Sequence, residues 1–282
     1  PGALKNGVAR LDAIVTVVDA LRMRDEFGLG DHLKADHDEE DLASLVIQQI
    51  EFCNIILLNK ADMISPDEMA HLKAIIREIQ PKAAIYECNY GDVELSKIIN
   101  THSFNFDKVA TSARWIEAME GEEGDDHHDH HDDHDDHERH DDHDHHHHDH
   151  LENEESGEAL EYGIQTFVYY RRPAMSLARF DEFVSTQWPK SVIRAKGMCY
   201  FRDEPDTCYL FEQSGKQFNI TNAGQWFASM PAEELEQFME QNPNAKNDWD
   251  ENYGDRMQKI VFIGKDMDRK AIEALLDACL ED

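Results

Sequence analysis

Residues 125–150, "DDHHDHHDDHDDHERHDDHDHHHHDH", contain no apolar residue, and this stretch sets the limits on what the rest of the chain can fold into. A run that buries nothing cannot offset the backbone entropy lost on ordering, so it is expected to stay disordered unless something binds it. Folding must therefore be organised separately before and after it. The expected division is 1–116, a linker over 117–160, and 161–282. At 282 residues and 40% hydrophobic content, both flanking regions have material for a core.

The same stretch is chemically loaded. It holds thirteen histidines, twelve carboxylates and the single Arg139. Neutral imidazole is a ligand for zinc, nickel and cobalt, and carboxylates ligate the metal or hydrogen-bond the far ring nitrogen. His131, His134, His137, His140, His143 and His146 recur at every third position, and His127, His128, His130, His145, His147, His148 and His150 fill in around them. A flexible chain can gather three or four of these around one ion. A solvated acidic linker is the alternative, but imidazole at every second position favours metal binding. The tract is internal and interleaved with Asp, unlike an expression tag.

Charge narrows the partners. The formal net charge is −33, of which the tract contributes −11, leaving −22 on the remainder. Such a surface repels phosphodiester backbones and anionic lipid, so nucleic acid and membranes are poor partners. No apolar run reaches membrane-spanning length and no secretory signal is visible. The five cysteines, Cys53, Cys88, Cys199, Cys208 and Cys279, are scattered without a C-x-x-C pair, which suits structural thiols in a reducing cytoplasm.

Before the tract, the pattern predicts a parallel α/β sheet. "LDAIVTVVDA" (11–20) and "CNIILL" (53–58) read as strands buried on both faces, with Leu42, Leu45, Val46, Gln49 and Ile50 at helical spacing between them. Ser65, Pro66 and Glu68 spell an N-cap, a first-turn proline and a capping box, for a helix ending near Gln80 at Pro81. "AAIYEC" (83–88) follows as a third strand and "DVELSKIIN" as a short helix. After the tract the order changes to segregated strands with two or three helices, predicting a compact α+β domain. Its strands are expected within 162–170, "SVIRAKGMCYF", "TCYLFEQ", "KQFNI" and 259–264. Its helices are expected after Ser176, after Pro231 and over 268–280.

The most informative residues close the second strand: Asn59, Lys60, Ala61 and Asp62, in "IILLNKAD". In doubly wound sheets, ligands bind beyond the carboxyl ends of the strands. A carboxylate there accepts both N1–H and the exocyclic amine of guanine, whereas adenine leaves it buried and unpaired. Asp62 is thus expected to select guanine, with Asn59 bonding the base edge and tying loops together and the Lys60 stem lying along the purine face.

Together "RLDAIVTVVDA", "NIILLNKAD", "YGDVELSKII", "FVYYRRPAMSLARFDEFV", "IRAKG" and "GDRMQKIVFIGKDMDRKAIEALLDACL" resemble the CobW family of P-loop GTPases, which includes cobalamin-biosynthesis proteins and zinc chaperones. The resemblance implies part of a GTPase parallel sheet joined by a linker to a smaller α+β CobW C-terminal domain. It also implies GTP with Mg²⁺ in the complete protein, and GTP-dependent delivery of metal to a client metalloprotein. Zinc is the first choice of metal, with nickel and cobalt behind it. The guanine motif maps onto Asn59, Lys60 and Asp62, and Cys88-Asn89-Tyr90 occupies the place where such GTPases offer backbone amides to the guanine oxygen. The family's G-x-x-x-x-G-K-[ST], C-x-C-C and E-[ST]-x-G stretches do not occur in these 282 residues. The expectation is a sequence that starts inside a longer one and is inactive on GTP by itself. Ala174 and Met175 stand where relatives carry Phe and His, which removes one possible metal ligand. Two other classes fit the residues: a metal buffer with a relic nucleotide site, and an activator that docks on one metalloenzyme.

Overall fold

The computed structural model describes residues 10–27, 40–105, 113–121, 162–242 and 249–281. Three parallel strands, β1 (Val15–Asp19), β2 (Ile55–Asn59) and β3 (Ala84–Cys88), form the first sheet in the order β1-β2-β3. Helices α1 (Ala20–Phe27), α2 (Glu40–Glu51) and α3 (Pro66–Ile79) alternate with them. Val18, Ile56 and Leu58 face α2 and α3, where Ile47, Ile50, Leu72, Ile75 and Ile76 complete a closed core.

The capping box forms as the sequence predicts. The Glu68 amide donates to Ser65 Oγ, the Ser65 amide donates to Glu68 Oε2, and Pro66 opens the helix. Other details differ. "DVELSKIIN" yields only a 3₁₀ turn, Leu95–Lys97, and α1 was not anticipated. The α2 face is also rotated from the one the spacing suggests. Leu45 is 47% exposed, while Ser44, Ile47, Ile50 and Glu51 are buried. The cause is tertiary, because α2 packs against the second sheet as well as the first. Nor is β1 buried on both faces: Val15 and Val17 are exposed, opposite Ile55 and Leu57 in register.

The second sheet is antiparallel, in the order β4-β8-β5-β6-β7, with β4 (Ile164–Arg171), β5 (Val192–Phe201), β6 (Glu204–Ser214), β7 (Gln217–Gln225) and β8 (Gln258–Lys265). Among the described residues, α4 (Arg114–Gly121), α5 (Leu177–Thr186), α6 (Ala232–Gln241) and α7 (Arg269–Asp277) complete this half. Phe180, Phe183, Ile272 and Leu276 bury one face of the sheet. Trp115 and Ala118 of α4 cover Val168, Val261 and Ile263 on the other. Ser176 sits at the N-cap of α5 but makes no side-chain cap bond. No described helix is long and apolar enough to cross a membrane.

The two sheets share an interior. Ile164 and Ile193 enter the core of the first sheet, His71 stacks on Tyr162, and Glu78 accepts from Thr166 Oγ1 at 2.7 Å.

Candidate functional site

All three parallel strands end on one row, since Asp19 pairs with Asn59 and Asn59 with Cys88. Their carboxyl ends therefore open onto a common rim, and the chain turns there through two tight loops. Lys60 takes a left-handed conformation (φ 62°, ψ 36°) and starts the 3₁₀ turn Ala61–Met63, its carbonyl accepting from the Met63 amide at 3.0 Å. After β3, Tyr90 and Gly91 are both left-handed (φ 54° and 73°), and the Asp92 amide donates to the Asn89 carbonyl. Two successive positive φ values of this kind make a mirror-type turn, which glycine accepts freely and tyrosine only under constraint.

The asparagines tie the loops together. Asn59 Oδ1 accepts from the Gly91 amide at 3.0 Å and from the Cys88 thiol, and Asn89 Oδ1 accepts from the Asp62 amide at 2.9 Å. Each loop thus holds the other. The sequence-predicted Asn59, Lys60, Asp62, Cys88 and Asn89 come together on this rim. Asn59 makes the inter-loop bonds expected of it, and the reciprocal bond, from the Asp62 amide to Asn89 Oδ1, was not foreseen. Asp62 itself is exposed. Cys88 is buried, and desolvation raises its thiol pKa, so it is a neutral wall of the site rather than a thiolate ligand.

Sequence reasoning missed one partner. Lys60 Nζ lies 2.6 Å from Asp19 Oδ2, and Asp19 Oδ1 accepts from the Arg22 amide at 3.0 Å in the first turn of α1. Burial pushes the Asp19 carboxyl up, but Lys60 and the amides of Arg22 and Leu21 outweigh it and hold it below the ordinary aspartate value. The signal available in the sequence was an Asp closing one apolar strand in register with the Asn that closes the next.

The expected metal site falls elsewhere. All thirteen tract histidines, His127 to His150, lie outside the described residues. Among the described residues no group of three or more His, Cys, Asp or Glu is placed to hold a metal ion. All five cysteines are buried and unpaired. Met175 is wholly buried and bridges Phe201 and Leu280, so it serves the core of the second sheet.

The CobW/HypB/UreG nucleotide-binding domain matches residues 3–87, and the C-terminal domain of the cobalamin synthesis protein CobW matches 164–280. The chain is 29% identical over 290 aligned positions to zinc-regulated GTPase metalloprotein activator 1 of Dictyostelium discoideum, with 99% of this chain and 54% of that protein covered. It spans about half the length of that relative. Among solved structures, Zn(II)-bound YjiA GTPase from E. coli and a Zn(II)-bound triple mutant of YjiA are each 16% identical. The alignments cover 99% of this chain and 64% of theirs, with TM-scores of 0.36 and 0.35. Two family models in the expected order, one on each sheet, take in most of the chain, which belongs to the CobW family.

Proposed function

We propose that the chain takes part in GTP-dependent handling of zinc for a client metalloprotein, with a guanine site on the rim of the parallel sheet and the histidine tract as a metal reservoir. The observation that carries the reading is the pair of cross-loop bonds, Asn59 to Gly91 and Asn89 to Asp62, which brings the predicted base-binding residues onto one rim. In this reading Asp62 accepts N1–H and the 2-amino group of guanine. The Lys60 stem covers one purine face, and the turn after Cys88 and Asn89 offers amides to the base oxygen. The relative from Dictyostelium, whose name couples zinc, GTPase and metalloprotein activation, supports the same assignment. Mg²⁺ would accompany the nucleotide phosphates in the complete protein.

Zinc is cargo here, and it would be held by imidazoles from His127, His128, His130, His131, His134, His137, His140, His143, His145, His146, His147, His148 and His150. A high local imidazole concentration on a tether can pass ions to a tighter site nearby. Nickel and cobalt suit the same ligands, whereas cytosolic copper is cuprous and held by thiolates.

Asp62→Asn tests the base site. It exchanges a pair of acceptors for one donor and one acceptor, so guanine nucleotide affinity should fall by about 1–3 kcal/mol while xanthine nucleotides, with a 2-oxo group, gain. Unchanged guanine and xanthine binding would leave Asp62 a loop carboxylate. Deleting 125–150 tests the reservoir, since zinc stoichiometry by metal analysis should drop with nucleotide affinity unmoved. Equal stoichiometry would remove the tract from the mechanism.

A further inference from the structure

Lysine in a base site poses a physical problem. Its four-carbon stem is useful as a flat apolar strip, but the side chain is among the most flexible, and ordering it on binding costs rotamer freedom. An untethered ammonium two residues from Asp62 also competes for the carboxylate that the base needs. Both problems disappear if the ammonium is held before the nucleotide arrives.

The rim has such a holder. Asp19 ends β1 directly opposite Asn59, the residue before Lys60. Its Oδ1 is fixed by the Arg22 amide in the first turn of α1, and its Oδ2 meets Lys60 Nζ at 2.6 Å. The other end of Lys60 is fixed as well, by its left-handed backbone and by the Met63 amide on its carbonyl. Only the methylenes between these two anchors are left without a polar partner. At 34% and 45% side-chain exposure the pair adds little to folding stability, so its use lies in geometry.

We propose that Asp19 is a positioning residue of the base site, tethering the Lys60 ammonium so that the Lys60 stem is preorganised against the purine face and kept away from Asp62. The inference rests on the base-site reading above and adds a residue from a different strand to it.

The test uses the 282-residue chain with GDP as the probe, binding being followed by saturation-transfer NMR. Asp19→Asn keeps an oxygen for the Arg22 amide and removes the charge. It should leave the thermal midpoint in place and weaken GDP binding about three- to tenfold, the cost of lost preorganisation. Lys60→Met, which keeps the stem, should weaken it comparably, and the double variant should be no weaker than either single one. GDP should shift the Lys60 methylene protons upfield through the purine ring current, and Asp19→Asn should diminish that shift.

Unaltered GDP affinity and methylene shifts in Asp19→Asn would overturn the proposal, as would additive losses in the double variant. Asp19→Ser, which also caps α1, substitutes for Asn if the latter lowers the thermal midpoint. Asp62→Asn separates the two readings. If it leaves GDP binding unchanged, the base site itself is wrong. If Asp62→Asn weakens binding and Asp19→Asn does not, only the role of Asp19 falls.

Discussion

Arg194 of β5 and Glu51 at the end of α2 form a two-pronged ion pair across the junction of the two sheets, Nε to Oε1 at 2.7 Å and Nη2 to Oε2 at 2.9 Å, with both side chains 1% exposed. Further hydrogen bonds surround the pair. Arg194 also donates to the Gln213 carbonyl and to Glu212, and the Gln80 side chain donates to the Glu51 carbonyl. A buried pair of this kind contributes little relative to a well-packed apolar pair, but removing one partner strands the other. Arg194→Ala should therefore cost about 3–5 kcal/mol of unfolding free energy, whereas Arg194→Met with Glu51→Leu should recover most of it. Urea denaturation of the unmodified chain, Arg194→Ala and the double variant measures both numbers.

His71 gives the junction a pH dependence. Its ring stacks on Tyr162 with centroids 4.8 Å apart, and its buried Nε2 has no hydrogen-bond partner among the described residues. Burial, reinforced by Lys265 and opposed by Asp67 and Asp266, lowers its pKa below the ordinary 6.5. The folded state thus keeps the ring neutral where the unfolded chain already binds a proton. Stability from this group is present above pH 6.5 and declines as pH falls through that value towards the folded pKa. His71→Phe should flatten the thermal midpoint between about pH 7 and 5 relative to the unmodified chain. A slope that survives the substitution would point to another group.

The strands and the rim were legible from sequence because both are local. A four-residue apolar run, Ile55 to Leu58, followed by Asn59-Lys60-Ala61-Asp62 carries its own strand-to-loop boundary, and Ser65, Pro66 and Glu68 spell the next helix start within four residues. What stayed hidden depends on partners far along the chain. The rotated face of α2 follows from Glu51 meeting Arg194 and from Ser44 Oγ meeting Ser214 Oγ at 2.5 Å, separations of 143 and 170 residues. No periodicity within 40–51 encodes either contact. The Asp19 to Lys60 pair needs the β1–β2 register, and α1 began inside what read as a continuing strand, so its cap at Asp19 passed unseen.

Gly197 lies in "IRAKG", one of the segments that resembles the CobW family, and its role here is close approach. A Cβ at that position would lie 2.1 Å from the Lys259 carbonyl oxygen and 2.5 Å from Ile260 Cα, both backbone atoms of the neighbouring β8. Since backbone cannot swing aside as a side-chain tip can, Gly197→Ala must part β5 from β8 in the middle of the sheet. The expected loss is about 1–3 kcal/mol or more, read as a lower urea midpoint. Gly224, where an added Cβ meets nothing within 4 Å but φ is +124°, should suffer only from backbone strain and serves as the comparison.

The last prediction concerns the outer edge of the parallel sheet. Among the described residues β1 pairs with β2 alone, and no described strand takes up the amides and carbonyls of its other side. Val17, 59% exposed, and Val15 lie beside that edge, and with Leu45 and Phe52 they border a cleft of about 750 Å³. The opposite wall is the row Lys196, Glu212 and Asn219 across β5, β6 and β7. An edge with exposed branched apolar side chains invites pairing with another chain, and charge placed on it is a standard remedy. Val17→Lys should therefore slow aggregation of the 282-residue chain, followed by light scattering at raised concentration. Because Val17 packs on little, the unfolding free energy should move by less than about 0.5 kcal/mol, as for other surface substitutions. Unchanged scattering would show that this edge is not where the chains meet.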